Sequence, residues 1–286
     1  MNPGKPAISI ASKNFSVCME TAPIRTLIRM LIANRSRRVA VVDNNGEFKG
    51  FVTDLDVLGY LGGDEKYNSY VTNKMKETYK KTTERKKYGI DSSVKNIMNS
   101  NVHTLTVKQT VRQALDAFKK TGQDAFPILN KKRKVLGILS NRNLVEAVYK
   151  QASMRSSRGS KLMIKHIMVK PMIVKEKFPI NEVANMMCFG KFRRFPVTNN
   201  KILTGMVTAH DLLYFLSVNR GFEQLKTEKE AIKKIANRNV VSIGFEKPVR
   251  DAIKIMLAKK IGAIPVTDGE EIKGIVTFTD VLDIIH

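Results

Sequence analysis

The chain has 286 residues, of which 43% are hydrophobic and nine are proline, so it is too apolar for a disordered or fibrous protein and long enough for about two domains. Fifty Lys and Arg against twenty-six Asp and Glu give a net charge of +24, which predicts attraction to polyanions, phosphorylated small molecules or an acidic protein. No apolar run approaches the roughly 18 residues of a membrane span, the N-terminus lacks a signal-peptide core, and the two cysteines have no metal-ligand spacing. We therefore expect a cytoplasmic protein with reduced thiols and no membrane partner.

A series of predicted elements recurs four times along the chain. Each copy starts with a short strand and continues with a helix that carries apolar residues at positions i, i+3, i+4 and i+7. These apolar stripes begin at Ile24, Val111, Ile180 and Val249. The residues directly before them suit a helix start; they are Pro23, Thr110, Pro179 and Pro248.

Two strands joined by a short polar turn, and then a second helix, complete each copy. The second of these strands runs into a motif of Gly, two apolar residues, Ser or Thr, two variable residues, and Asp or Asn. The four motifs are GFVTDLD (50–56), GILSNRN (137–143), GMVTAHD (205–211) and GIVTFTD (274–280). The first stripe residue precedes the motif glycine by 26, 26, 25 and 25 residues, so the copies are internal repeats.

The repeats divide the chain into two pairs. Repeats 1 and 2 are assigned to residues 7–62 and 93–150, and repeats 3 and 4 to residues 162–218 and 219–286. Residues 63–92 form a basic segment, of which 74–88 are predicted to be a solvated helix. Residues 151–161 suit an exposed linker between the pairs, with a helical extension into repeat 3 as the alternative.

Together these features resemble the cystathionine beta-synthase (CBS) domain, a small α/β regulatory unit that works in tandem pairs called Bateman modules. The resemblance runs from about Ala7 to His286. Four such units without an attached enzyme are similar to stand-alone archaeal CBS proteins and to the gamma subunit of AMP-activated protein kinase. The resemblance implies an α/β fold of the α+β type, ordered strand, helix, strand, strand, helix. It also implies a disc of two pseudo-two-fold pairs with nucleotide clefts between units.

The polar residues of the motif admit two interpretations. A Ser or Thr three residues before an Asp is an ordinary helix-start signal. Alternatively, the carboxylate accepts the two hydroxyls of a ribose, a role that the resemblance implies, with the Ser or Thr beside the sugar and phosphates. The nucleotide-binding candidates are Thr53 with Asp56, Ser140 with Asn143, Thr208 with Asp211, and Thr277 with Asp280. Asn143 offers one acceptor oxygen where aspartate offers two, which weakens the case for a site in repeat 2.

Basic side chains near the strands are candidates for phosphate binding. A planar guanidinium can donate two hydrogen bonds to one phosphate, and the resemblance implies basic residues just before the strand proline. The candidates are Arg37, Arg38, Arg193 and Arg194, together with Arg142 and His210 beside the last motif residue. Solvated surface arginines are the alternative in so basic a chain. Because the arginine pairs occur only in repeats 1 and 3, the four clefts are expected to differ.

The chain carries no Walker loop, zinc-protease motif or nucleophile elbow. We therefore expect a non-catalytic regulatory protein that senses adenine nucleotides (AMP, ADP or ATP), with S-adenosylmethionine as another adenosyl ligand and no metal requirement. The expected partners are an unidentified protein target and, in a homodimer, a second copy of the chain. The alternative function is nucleic-acid binding by the basic surface, for which segments 74–88 and 150–175 are candidates.

Overall fold

A computed structural model describes residues 4–62, 89–155, 162–220 and 228–284. Repeat 1 contains β1 (Val17–Met19), α1 (Ile24–Ala33), β2 (Arg38–Val42), β3 (Phe48–Thr53) and α2 (Asp54–Gly62). Repeat 2 contains β4 (Leu105–Thr106), α3 (Val111–Thr121), β5 (Ala125–Leu129), β6 (Val135–Ser140) and α4 (Asn141–Arg155). Repeat 3 contains β7 (Val174–Lys175), α5 (Ile180–Gly190), β8 (Arg194–Asn199), β9 (Ile202–Thr208) and α6 (Ala209–Phe215). Repeat 4 contains β10 (Ile243–Gly244), α7 (Val249–Ala258), β11 (Ala263–Asp268), β12 (Glu271–Thr277) and α8 (Phe278–Asp283).

Each repeat builds a three-stranded sheet in which the first strand is parallel to the second and the second antiparallel to the third. The first connection is parallel because a helix crosses over between the two strands. Repeats 3 and 4 join into one six-stranded sheet through Ile202 and Glu271. The observed order of elements confirms the predicted fold.

The first helix of each repeat starts where the sequence indicated. Helices α1, α5 and α7 follow Pro23, Pro179 and Pro248, whose φ angles of −61° to −65° suit a first turn. Helix α3 follows Thr110, whose Oγ1 accepts from the Gln113 N–H at 3.3 Å while the Gln113 side chain accepts from the Thr110 N–H at 2.9 Å. Thr110 therefore starts α3 with a hydrogen-bonded cap, whereas the three prolines favour the start of their helices by fixing φ.

The cores are shared between the two pairs of repeats. Leu27 and Leu58 of repeat 1 lie in one apolar cluster with Met187 and Leu212 of repeat 3. A second cluster joins the helices of repeats 2 and 4, with Phe126, Leu144, Met256 and Val281 among its members. The helices of each repeat therefore pack on a repeat of the other pair. The sheet edge of each repeat packs on the other repeat of its own pair, here called its pair mate. This closes the four repeats into a ring.

The stretch before the first strand of each repeat, here called its leader, crosses to the pair mate. The leaders comprise residues 4–15, 89–104, 162–173 and 228–242. Their bridges to the last strand of the pair mate are Ser12 to Ile138, Asn99 to Phe51, Val169 to Ile275, and Asn237 to Met206. The contacts lie beside the motif glycines, and at Gly50 a Cβ would overlap the carbonyl oxygen of Asn99. The glycine of the motif thus makes room for the exchanged leader.

Two predicted segments fall partly or wholly outside the described residues. The basic segment 74–88, predicted as a solvated helix, lies outside them, as do residues 156–161 of the predicted linker. Helix α4 continues to Arg155, so the first residues assigned to that linker are helical. Within the described ranges, no helix is both long and apolar enough to cross a membrane. Cys18 and Cys188 are free thiols.

Candidate functional site

The end of each motif forms a helix cap. The Thr277 hydroxyl and N–H both donate to Asp280 Oδ2 at 2.7 Å, and the Asp280 N–H donates back to Thr277 Oγ1 at 3.5 Å. The same contacts join Thr53 to Asp56, Ser140 to Asn143, and Thr208 to Asp211. The helix-start interpretation of the motif is therefore correct in all four repeats. It leaves open what the second side-chain oxygen of each aspartate binds.

Asn143 and Asp280 differ in the side-chain atoms that the cap hydrogen bonds do not use. Asn143 accepts the Ser140 N–H and hydroxyl with Oδ1, at 2.9 and 2.7 Å, and this is its only side-chain oxygen. Asp280 makes its cap with Oδ2, and Oδ1 has no hydrogen bond to any described residue. Repeat 4 can therefore still offer a carboxylate oxygen to a ligand, whereas repeat 2 offers an amide N–H.

A cavity of about 560 Å³ is lined by residues of all four repeats. The predicted site residues that line it are Arg37, Arg38, Ser140, Arg142, Arg193, Arg194, Thr277 and Asp280. The others, Thr53, Asp56, Asn143, Thr208, His210 and Asp211, are not among its lining residues. The cavity thus combines the arginines of repeats 1 and 3 with the motif residues of repeats 2 and 4.

Two carboxylates that the sequence analysis did not single out hold two of these arginines. The Arg193 guanidinium is ion-paired with Asp54, the first residue of α2, and its Nη2 also donates to the Arg37 carbonyl at 2.7 Å. Arg38 is ion-paired with Asp124 at 2.7 Å. Asp54 lies at a variable position of its motif and Asp124 directly before a strand, so no sequence pattern marked either as a partner.

The electrostatics of the cavity follow from these pairs. Burial alone would raise the pKa of the Asp124 carboxyl, but the charges of Arg38, Arg193 and Arg37 outweigh it and hold the value at about 2. Burial raises the pKa of Asp54 above its ordinary value, and Arg193 opposes this rise. Removal from water, and then repulsion between neighbouring arginines, lowers the pKa of Arg37 to about 10 and that of Arg194 to about 9. Arg37 and Arg194 are therefore still charged at neutral pH.

The Asp124 pair should make part of the stability depend on pH. Because the folded-state pKa of about 2 lies below the ordinary 3.8, the contribution is complete above about pH 4 and is lost as the pH falls towards 2. Half of the Asp124 side chain is exposed, so the contribution is at most about 1 kcal/mol. We expect Asp124→Asn to show a smaller fall in melting temperature between pH 4 and 2 than the wild type, measured by scanning calorimetry. Equal falls in the two proteins would contradict this role.

The side of the cavity formed by repeats 3 and 4 also has an apolar wall. Val169, Met172 and Phe192 line it and are 46%, 44% and 37% exposed. Apolar groups open to a cavity are suited to cover the face of a planar ring. The corresponding side in repeats 1 and 2 is more polar, with Ser12 and Ser36 among its lining residues.

The fold and the cavity define a protein of tandem α/β repeats that enclose a cationic cavity. The sequence model of the CBS domain matches residues 7–63, 94–150, 164–218 and 232–286, and the chain therefore belongs to the CBS-domain family. This confirms the resemblance on which the expectations about fold rested.

Similar proteins are known from archaea. The uncharacterized protein MJ1225 of Methanocaldococcus jannaschii is 25% identical over 279 residues, which are 95% of each chain. Its crystal structure, described as that of a proposed archaeal homologue of g-AMPK, superimposes with a TM-score of 0.81 over 98% of this chain and all of the other. A 33.4 kDa protein from a ribosomal RNA operon of Thermofilum pendens is 24% identical over 87% of this chain and 80% of its own length. A Pyrococcus horikoshii structure, 16% identical, superimposes with a TM-score of 0.59 over 99% of this chain and all of the other.

Proposed function

We propose that this chain is a non-catalytic regulatory protein that binds an adenine nucleotide, AMP, ADP or ATP, in the central cavity. The observation that supports this most directly is that one cavity combines guanidinium groups, a carboxylate and an apolar wall. These are the groups that phosphate, ribose hydroxyls and a purine ring respectively require. The cavity volume of about 560 Å³ also lies in the range of small-molecule sites.

The charge of the cavity favours a phosphorylated ligand over other adenosyl compounds. Nine lysine and arginine residues line it against two aspartates. S-adenosylmethionine has no phosphate and carries a sulfonium cation, which such a cavity repels. A nucleotide instead brings two or more negative charges to arginines that are already oriented. We therefore propose a nucleotide as the ligand.

Thr277 and Asp280 are the proposed ribose-binding residues of this cavity. The cap fixes the Asp280 side chain through Oδ2, and Oδ1 is then held in a defined direction at the start of α8. A carboxylate oxygen held in this way can accept hydrogen bonds from a ribose diol without first losing side-chain freedom.

A ligand in this cavity would touch both pairs of repeats at once. The cavity is lined from all four repeats, and the ion pair between Arg193 and Asp54 already connects repeat 3 to repeat 1. A nucleotide that binds more tightly to one relative arrangement of the repeats shifts the population towards it. The surface offered to a partner protein would change with it, which is the proposed basis of energy sensing.

The test is calorimetric titration of ADP into the wild type and Asp280→Asn. The repeat 2 cap shows that asparagine retains both cap contacts, so the variant should fold normally while losing the acceptor oxygen. Losing hydrogen bonds to a charged group costs about 1.5–3 kcal/mol, or about 10- to 150-fold in affinity.

Asp211→Asn is the matched control, because Asp211 has the same cap but does not line the cavity. It is expected to leave the affinity of the cavity ligand unchanged. If the wild type binds none of AMP, ADP and ATP in the same titration, the proposed function is wrong. If both variants weaken binding equally, Asp280 is not the ribose-binding residue of this cavity.

The other site and partner assignments made from the sequence stay predictions. Ribose binding by Thr53 with Asp56 and by Thr208 with Asp211, and phosphate binding by His210, concern positions outside the lining of this cavity. Nucleic-acid binding was predicted from segments 74–88 and 150–175. The first lies outside the described residues, and the second is described only up to residue 155 and from 162.

A further inference from the structure

The two pairs of repeats differ at the position just before the second strand. Strand pairing aligns Arg38 with Thr53, Ala125 with Ser140, Arg194 with Thr208, and Ala263 with Thr277. The residues directly before these aligned positions are therefore equivalent. They are Arg37, Asp124, Arg193 and Gly262 in repeats 1 to 4.

Both internal carboxylates belong to the first pair of repeats. Asp124 of repeat 2 holds Arg38, and its equivalent in repeat 4 is Gly262. Asp54 of repeat 1 holds Arg193, and its equivalent in repeat 3 is Ala209. The backbone supports the second equivalence, because the Asp54 N–H donates to the Arg37 carbonyl and the Ala209 N–H to the Arg193 carbonyl.

Arg37 and Arg194 consequently lack the counter-charges that their equivalents have. Among the described residues, neither guanidinium forms an ion pair, although both line the cavity. A Cβ on Gly262 would overlap the Arg37 guanidinium, so Arg37 fills the space left by the missing side chain. This places Arg37 against repeat 4, which also supplies Thr277 and Asp280.

We propose that the cavity contains one anion site, formed by Arg37 and Arg194 beside Gly262. At the equivalent position, formed by Arg38 and Arg193, the carboxylates of Asp124 and Asp54 occupy the place of a bound anion. This inference rests on the proposed function. The ligand is then a single nucleotide with its ribose at Asp280 and its phosphates between Arg37 and Arg194. Each guanidinium group can donate two parallel hydrogen bonds to neighbouring phosphate oxygens, the bidentate geometry that arginine favours.

The side formed by repeats 1 and 2 is closed to a second nucleotide for two independent reasons. The Arg38 charge is neutralised by Asp124, so a phosphate there would have to displace a carboxylate. Asn143, the equivalent of Asp280, does not line the cavity, and its oxygen is already used by the cap, so this side lacks the acceptor that Asp280 provides. The site count predicted for this cavity is one.

The first test removes one of the two proposed cations and uses inorganic pyrophosphate as the probe. We expect the full-length wild type to bind one pyrophosphate by calorimetry, and Arg194→Met to bind it at least about 30-fold more weakly. Arg250→Met, at an exposed residue of α7, lowers the net charge equally and should stay within about threefold of the wild type. Two pyrophosphates on the wild type, or equal losses in both variants, would overturn the proposal.

The second test moves the carboxylate. Gly262→Asp gives repeat 4 the acid that repeat 2 carries and should abolish pyrophosphate binding. Gly262→Ala adds the same Cβ without the charge; because this Cβ alone displaces the Arg37 guanidinium, it should weaken pyrophosphate binding, but less than Gly262→Asp does. Asp124→Asn frees Arg38 and should add a second pyrophosphate, which binds more weakly than the first because Arg193 keeps its ion pair with Asp54. The proposal fails if Gly262→Asp binds as tightly as Gly262→Ala, or if Asp124→Asn still binds one.

The same titrations with ADP separate this inference from the proposed function. If the wild type binds pyrophosphate as expected but ADP no more tightly, the anion site is retained and the nucleotide assignment is wrong. If ADP binds but Arg194→Met leaves its affinity unchanged, the nucleotide assignment stands and the anion site is wrong.

Discussion

Replacing Asp54 with alanine is expected to lower the free energy of unfolding by about 3–5 kcal/mol, because it leaves a buried guanidinium without its counter-charge. Asp54 is 4% exposed and the Arg193 side chain 16%. The Arg193 charge is also close enough to Arg37 to help lower the pKa of Arg37, so two neighbouring cations would remain without the Asp54 carboxylate. Urea unfolding followed by circular dichroism measures the loss.

Asp91→Ala provides the control for this substitution. Asp91 is ion-paired with Arg25 on the surface, where the two side chains are 72% and 42% exposed, so its loss should cost less than about 1 kcal/mol. The double variant Asp54→Ala with Arg193→Met removes both buried charges and should recover about half of the loss. A cost for Asp54→Ala no larger than that for Asp91→Ala would show that this ion pair does not hold repeats 1 and 3 together.

The second large effect is expected at Gly50, where alanine should cost about 3 kcal/mol or more. The new Cβ would overlap the carbonyl oxygen of Asn99 and lie 3.0 Å from its carbonyl carbon. Backbone atoms cannot rotate away as a side chain can. The Phe51 N–H donates to the same Asn99 oxygen at 3.0 Å, and the Asn99 N–H donates to the Phe51 carbonyl at 2.8 Å, so relieving the overlap breaks the contact between strand and leader.

Alanine substitutions at two other glycines provide a comparison for the stability loss expected at Gly50. A Cβ on Gly137, the equivalent glycine of repeat 2, would lie 3.1 Å from the Ser12 carbonyl oxygen, and alanine there should cost about 1–2 kcal/mol. A Cβ on Gly59 in α2 would be 3.9 Å from Cys188 Sγ, so alanine should stabilise that helix by about 0.5–1 kcal/mol. Chemical denaturation of the three variants checks the order, and a Gly50→Ala variant no less stable than Gly137→Ala would contradict it.

The local features of the fold could be predicted because each depends on neighbouring residues. The apolar stripe and the start residue fix each first helix, as Pro23 and Thr110 illustrate. The regular spacing between stripe and motif glycine revealed the repeats, and the repeats revealed the family.

The partnerships between repeats could not be predicted in the same way. In the sequence, Arg194 and the motif of repeat 3 lie at the start and at the end of one predicted strand pair, and Arg194 does pair in register with Thr208. The cavity, however, brings Arg194 together with Thr277 and Asp280 of the next repeat. Contacts between repeats, such as the leader exchange, join segments that are distant in sequence and leave no periodic pattern in it. Asp54 and Asp124 were missed for the same reason, since their partners lie in other repeats.

The sharing of the cores has a consequence for how such a chain could have arisen. The helices of repeats 1 and 2 share their apolar clusters with the helices of repeats 3 and 4, so a half-length chain would have to assemble as a symmetric pair to cover its helical faces. Two identical halves must carry the same residue at every equivalent position, and a carboxylate in one binding place would have stood in both. Fusion of the halves into one polypeptide removed that constraint. In the single chain, one half carries Asp124 where the other carries Gly262, and the two equivalent places no longer need to have the same role.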